Sequence, residues 1–292
     1  MRVALCLSGL PRFPEGYKGL ESLKKHIKLP EGSILEVFAH FWHDSNARKE
    51  TRTSGWDPGT FDGEKTSHHW IGWLYDNFNV RRILLREQKI LKPAFWDPTR
   101  HENNLRWAWY GIHAANKLKS DYEKNQGFKY DAVIRSRTDI YFDRDINVVD
   151  LNMEEFNVPD NSAGWCGSVC VGSDERGLPI WQPRAVNDQL AISSSDNMNV
   201  LGELWNNSDL TISKLLWNLK ITRGFKFYQV YSEEMMGRLF GSTPELTSEG
   251  VTKHWMQNIN NINIKTHPFQ RYCNVIRYVD GNLITNDGEI LE

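Results

Sequence analysis

The stretch RVALCLSG, residues 2–9, decides the fold. From Val3 to Leu7 it is unbroken apolar sequence, and it stops at Ser8 and Gly9. A strand wetted on one face alternates polar and apolar residues, so a continuous run implies a strand covered on both faces, as in a parallel sheet between helices. The chain then passes through PRFPEGYKG, rich in turn residues, into a helical pattern with Leu20, Leu23 and Ile27 on one face. ILEVFAHFW (34–42) is a second strand with aromatics at its end. Strand, helix, strand predicts a right-handed βαβ unit opening an α/β sheet.

Working outward, residues 43–70 are polar, with Gly, Pro and several histidines, and predict a surface loop. NVRRILLREQ (79–88) is a short strand. Residues 103–127 form the clearest helix, with Trp109, Ile112, Ala115 and Leu118 at helical spacing and Gly127 at the end. It delivers the chain into YDAVIRSRTDIYF (130–142), a central strand. From 143 to 187 there are short strands such as GSVCVG among turns, and 187–207 runs from a strand or turn into a helix capped by Ser or Asp. SEEMMGRLF (232–240) opens another helix, and the tail reads as irregular strands. With no repeat, low-complexity tract or linker, one domain spanning 1–292 is expected, its halves dividing near residue 145.

The chain has 292 residues, 40% hydrophobic and 25% charged, with a formal net charge of −2. That balance fits an ordinary globular protein and argues against a nucleic-acid binder, which would carry a basic excess. The apolar run after Met1 is too short for a signal peptide, and nothing approaches the roughly 18 apolar residues of a membrane span. Four scattered cysteines fit a reduced, cytoplasmic protein, and the Cys166/Cys170 pair lacks the second pair that a zinc knuckle needs. Tryptophan is in surplus, at 12. Such rings fill cores, and their flat faces also stack on sugars.

In an open α/β sheet ligands bind outside the carboxyl ends of the strands. Three polar segments meet there on this reading: SGLPR, AHFWHD and RSRTD. Gly9 would let a ligand approach the backbone, and Arg12 adds a cation. Arg135 and Arg137 alternate with Ser136 and so share a face, which Asp139 continues. Two guanidiniums and a carboxylate suit a diphosphate with its divalent cation. The competing reading is a strand end that pairs its own charges, Arg135 with Asp139. The Asp143/Asp145 triplet is a weak metal motif, and His40, His43, His68 and His69 read first as core or surface residues.

VALCLSGLPR, EVFAHFW, DYEKNQGFKYDAVIRSRTDIYF, NDQLAISSSDNMNVLGELW and SEEMMGRLF, in that order, resemble a family of GT-A-type glycosyltransferases found in large algal DNA viruses, phages and some bacteria. The matches run from residue 3 to about 240. Glu36 stands where the family has Asp, Ser232 where it has Pro, and the strand-end triplet is Arg137-Thr138-Asp139 instead of D-x-D. The resemblance implies a GT-A-like (Rossmann-like), mixed, mostly parallel open sheet flanked by helices. It implies a nucleoside-diphosphate sugar donor, with UDP the expected nucleotide, and a glycan acceptor. Gly9 and Arg12 would flank the nucleotide, and Arg135, Arg137 and Asp139 would hold the diphosphate and a Mn²⁺ or Mg²⁺ ion, with Asp139 as the metal's acid. Asp188 would be the general base of an inverting reaction, with Glu233 its rival. Each of these acids could equally serve its helix start alone. His254 and His267 are candidates for a C-terminal metal ligand. If the chain is viral, the host cytoplasm is the expected location.

A non-catalytic carbohydrate-binding protein on the same fold, and a nucleotidyltransferase, remain as alternatives. The chain lacks G-x-x-x-x-G-K-[ST] and G-x-G-x-x-G turns, which disfavours kinases and dinucleotide enzymes.

Overall fold

The apolar run at the N-terminus forms β1 (Arg2–Gly9), and its residues from Val3 to Ser8 are buried. The computed structural model describes residues 1–9, 11, 17–43, 50–51, 60–61, 69–87, 100–159, 168–173, 179–183, 189–223, 248–267, 273–279, 282–285 and 290–291. The main sheet adds β2 (Ile34–His43), β3 (Asn79–Glu87), β4 (Ala132–Ser136), β5 (Phe156–Pro159), β6 (Leu190–Ser193) and β7 (Ile264–His267). Their order is β7-β5-β6-β4-β1-β2-β3. All pairings are parallel except the two made by β6, so only β6 runs against the others. This is the mixed, mostly parallel α/β sheet that the sequence predicts.

Alternation along β1 sends its two apolar sets to opposite faces. Val3, Leu5 and Leu7 join Leu20 and Leu23 of α1 (Lys18–His26) and Trp70 and Leu74 of α2 (His69–Asn77) in one core. Ala4 and Cys6 join Trp109, Ile112 and Ala115 of α3 (Arg100–Gln126) in the other. Met198 and Leu201 of α4 (Ser195–Glu203) and Ile212 of α5 (Ser208–Arg223) complete it. Each such leucine, fully buried, contributes about 1.5–3 kcal/mol. Helices therefore cover both faces, which is why the strands read as continuous apolar runs. Trp42, Trp70, Trp109 and Trp255 are all buried, so the core accounts for those four of the surplus rings.

The helix at 103–127 begins slightly earlier than expected and ends at Gly127, which has φ 69°. α4 takes Ser194 as its cap; the Ser194 Oγ accepts from the Asn197 N–H at 3.3 Å. Of the expected loop at 43–70, two short strands (50–51 and 60–61) and the start of α2 fall among the described residues. The helix expected at 232–240 lies outside them. Beyond α5, the helix Ser248–Lys253 leads into a π-helical turn, His254–Ile259. A second sheet pairs Ile140–Phe142 with Cys273–Val279 and two strands that follow it. Among the described residues no helix is long and apolar enough to cross a membrane.

Candidate functional site

Where β1 and β4 leave the sheet, their register sets Leu7 opposite Ser136. Ser8 and Arg137 are the next residues at the carboxyl edge, and Gly9 follows one step on. Gly9 has φ 126°, a conformation that only glycine adopts without strain. α3 crosses this edge closely: a side chain at Gly111 would lie 3.5 Å from the Ser8 Cβ and 3.6 Å from both the Gly9 nitrogen and the His40 Nδ1. From below, a Cβ on Gly19 of α1 would meet the Thr138 carbonyl at 2.5 Å, and the Ser22 Oγ accepts from the Phe142 N–H at 3.0 Å. Gly111 thus lets α3 close on the ends of β1 and β2, and Gly19 lets α1 close on the Thr138 carbonyl.

The strand does not set Arg135, Arg137 and Asp139 in one row. β4 ends at Ser136, so the strand alternation that aligned Arg135 with Arg137 stops one residue too soon. Arg135 is buried (6% exposed) under α3 and α4, beside a cavity of about 10 Å³ that Cys6, Ser8 and Asn116 also line. That volume suits one water molecule. Arg137 turns onto Asp139 instead: its Nε donates to Oδ1 at 2.8 Å and its Nη2 to Oδ2 at 2.6 Å. The Asp139 side chain is 2% exposed and that of Arg137 is 25% exposed. The expected partner of Asp139 within the segment was Arg135; the two-pronged, charge-assisted pair is made by Arg137. The Arg137 N–H also donates to the Gln189 carbonyl at 3.2 Å, joining the segment to the start of β6.

This pairing engages the acid that the resemblance assigns to a metal ion. A divalent cation of this kind takes about six oxygens, and Mg²⁺ sites commonly combine one or two carboxylates with phosphates and waters. Here both oxygens of the carboxylate are engaged by Arg137, and no cluster of three potential metal ligands occurs among the described residues. The described residues alone do not fit Mn²⁺ or Mg²⁺. Arg12, Asp188 and Glu233 lie outside the described residues.

The other candidates fall apart in space. Asp145 pairs with the His26 Nδ1 at 2.9 Å and with Lys28 at 3.6 Å, beyond α1, and the His26 hydrogen bond holds its carboxyl below the usual range. The His267 Nε2 bonds the Asn157 Oδ1 at 2.8 Å on the edge of the sheet. His254 is buried on the π-helical turn. Burial lowers the pKa of both histidines, helped at His267 by Lys265 and at His254 by Lys214.

The aromatics at the end of β2 belong to a larger cluster that reaches α3 and the residues after α4. His40, fully buried, packs edge-on against Trp42 (4.8 Å between ring centroids) and Tyr110 (5.3 Å), and Tyr110 meets Trp205 at 5.2 Å. The Arg86 guanidinium lies 5.5 Å over Tyr110 and bonds its hydroxyl, and Arg106 lies 5.4 Å over Trp205. Burial, reinforced by Arg86, pushes the His40 pKa down to about 4. The signal for this contact was Gly111, an isolated glycine inside a helical pattern, which often marks close packing.

No family model matches the chain, and no curated protein matches it. Among solved structures, the apo form of mouse xyloside xylosyltransferase 1 is similar over 91% of this chain and 84% of that one. The identity is 8% and the TM-score 0.38, and a likeness that distant carries no argument.

Proposed function

We propose that this protein is a GT-A-like glycosyltransferase that moves a sugar from a nucleoside diphosphate, with UDP the expected carrier, to a hydroxyl of a glycan. The observation that supports this reading is the convergence at one sheet edge of Gly9, Arg137, Asp139 and Gln189, between two closely packed helices. The reaction makes a bond from the acceptor oxygen to the anomeric carbon and breaks the bond to the diphosphate, whose new charge needs a fixed counter-charge. Arg137 supplies it: Asp139 grips two of its nitrogens from the buried side and leaves a quarter of the side chain exposed to solvent. Asp139 is then a positioning residue, and no step is routed through a metal ion. Asp188, next to Gln189 in sequence, is the proposed base for the acceptor proton, with Glu233 the alternative.

The test is sugar transfer or slow hydrolysis with UDP- and GDP-sugars. Asp188→Asn should lower kcat by about 10²–10⁴, and a loss below about tenfold would remove Asp188 as the base. A second reading has one observation in its favour. The Arg137–Asp139 pair is already neutral, as expected of a non-catalytic carbohydrate-binding protein on this fold. Calorimetry showing sugar binding without donor-nucleotide binding would select it.

A further inference from the structure

A cleft of about 490 Å³ lies on the outer side of α3, where α4 and the π-helical turn pack against it. Its size falls in the range of roughly 300–1,000 Å³ typical of ligand sites. Its floor is rigid. The Asn199 Oδ1 accepts from Asn116 Nδ2 at 3.0 Å, from Lys119 Nζ at 3.0 Å and from Ser120 Oγ at 2.6 Å. Three donors saturate that oxygen and leave the Asn199 NH₂ with no protein acceptor among the described residues. The walls are held in the opposite sense. Asn207 donates its amide to the Glu203 carbonyl at 2.9 Å and Asn260 donates to that of Trp255 at 2.8 Å, so each keeps a carbonyl oxygen. The His113 Nδ1–H donates to the Gly202 carbonyl at 3.0 Å.

The Asn207 and Asn260 amides each keep an N–H as well, so the cleft offers fixed acceptors and fixed donors together. Its charges disfavour phosphate and other anions. Lys117, the cation on the rim, is paired with Asp121 at 3.1 Å, while Glu203 adds a second acid. Trp255 is buried and spends its indole N–H on the Val200 carbonyl at 2.7 Å; a purely apolar ligand would leave the cleft's amide and carboxylate groups without partners, which costs free energy. No metal cluster occurs here among the described residues. What remains is a neutral molecule rich in O–H groups, each able to donate to the asparagine and carboxylate oxygens and to accept from Asn199.

We propose that this cleft is a carbohydrate-binding groove, separate from the strand-edge site, that holds a neutral oligosaccharide. Gly202 shapes it: a Cβ there would lie 2.9 Å from the Asn116 amide nitrogen, so glycine is what lets α4 close on Asn116. The groove stands on its own lining and does not depend on glycosyl transfer at the sheet edge.

The experiment is calorimetric titration of the whole chain with maltohexaose, cellohexaose and xylohexaose, at low and high salt, beside a UDP-sugar titration. At least one oligosaccharide should bind, with little salt dependence. Asp121→Ala/Glu203→Ala removes two exposed acceptors without touching the buried floor and should weaken that binding by about tenfold or more. Asn260→Ala, which leaves both acids in place, should weaken it too. Nucleotide-sugar binding should be unchanged in all variants. The proposal is overturned if no oligosaccharide binds at millimolar concentration, if binding survives these substitutions, or if it is lost in Arg137→Ala instead. Binding of spermine alone, fading with salt, would also overturn it, by showing that the acids select a cation. Failure of UDP-sugar binding alone would sink the transferase reading and leave the groove intact.

Discussion

Arg137–Asp139 and Lys119–Glu123 are both salt bridges at the sheet, and they are built to different ends. Lys119 is fully buried, reaches Glu123 at 3.2 Å and also donates to the Ser195 hydroxyl and to Asn199. Glu123 in turn accepts from the Ser195 Oγ at 2.6 Å and from the Tyr130 N–H at 2.8 Å. The Lys119–Glu123 pair itself is spent on locking α3 to α4 and to the segment just before β4. At the sheet edge only the acid is sealed, while a quarter of the arginine side chain meets solvent. A sealed pair can only hold structure; a half-open pair holds a cation still while presenting it. The comparison teaches that a salt bridge's role follows from which partner faces water.

The contrast breaks most visibly on the sealed side. Lys119→Ala should cost about 3–5 kcal/mol in urea unfolding, because Glu123 is left charged and buried without its cation. Lys119→Met/Glu123→Leu should recover part of that loss, since no buried charge remains. If Lys119→Ala unfolds at the wild-type midpoint, the network is not the lock described.

The next effect concerns His40, at the same edge as Arg137 but with no charge in the folded state. Its pKa is lowered from 6.5 to about 4, first by burial and then by Arg86. Between those values the unfolded chain binds a proton that the folded chain refuses, so stability rises with pH. His40 thus contributes full stability above about pH 6.5 and loses it as pH falls toward 4, a swing of about 3 kcal/mol. Melting temperatures compared at pH 7 and pH 4.5 should fall less in His40→Phe than in the wild type. Equal falls would show that His40 is not sealed.

The smallest effect is expected where both partners face water. Lys129 meets Asp196 at 2.6 Å, with their side chains 64% and 69% exposed. Lys129→Ala should leave the urea midpoint almost unchanged, the more so in high salt. A loss matching that of Lys119→Ala would mean that exposure does not sort these pairs.

Much of this architecture was legible in the sequence, and the reasons are physical. Residues 2–9, 34–42 and 132–136 are strands between two helical layers, so their apolar runs are continuous, and residues 103–127 carry a full helical stripe. α5 escaped because its exposed Leu210 and Trp217 blur its polar face. The Arg137–Asp139 pair escaped because side-chain alternation predicts direction only while the strand lasts, and β4 ends at Ser136. Lys119 and Glu123 escaped for another reason. A charged residue on a helix is expected to face water, and only the facing polar side chains of α4, supplied from far along the chain, make its burial possible.

The central claim is that Arg137, held by Asp139, receives the diphosphate of a nucleotide sugar. The most direct measurement is a thermal-shift titration of the wild type and Arg137→Ala with UDP-sugars, with and without EDTA, each against its own ligand-free melting temperature. Binding to the native state should raise the wild-type melting temperature, with EDTA making no difference, and the rise should vanish in Arg137→Ala. No rise with any nucleotide sugar, or an equal rise in both proteins, would contradict the account.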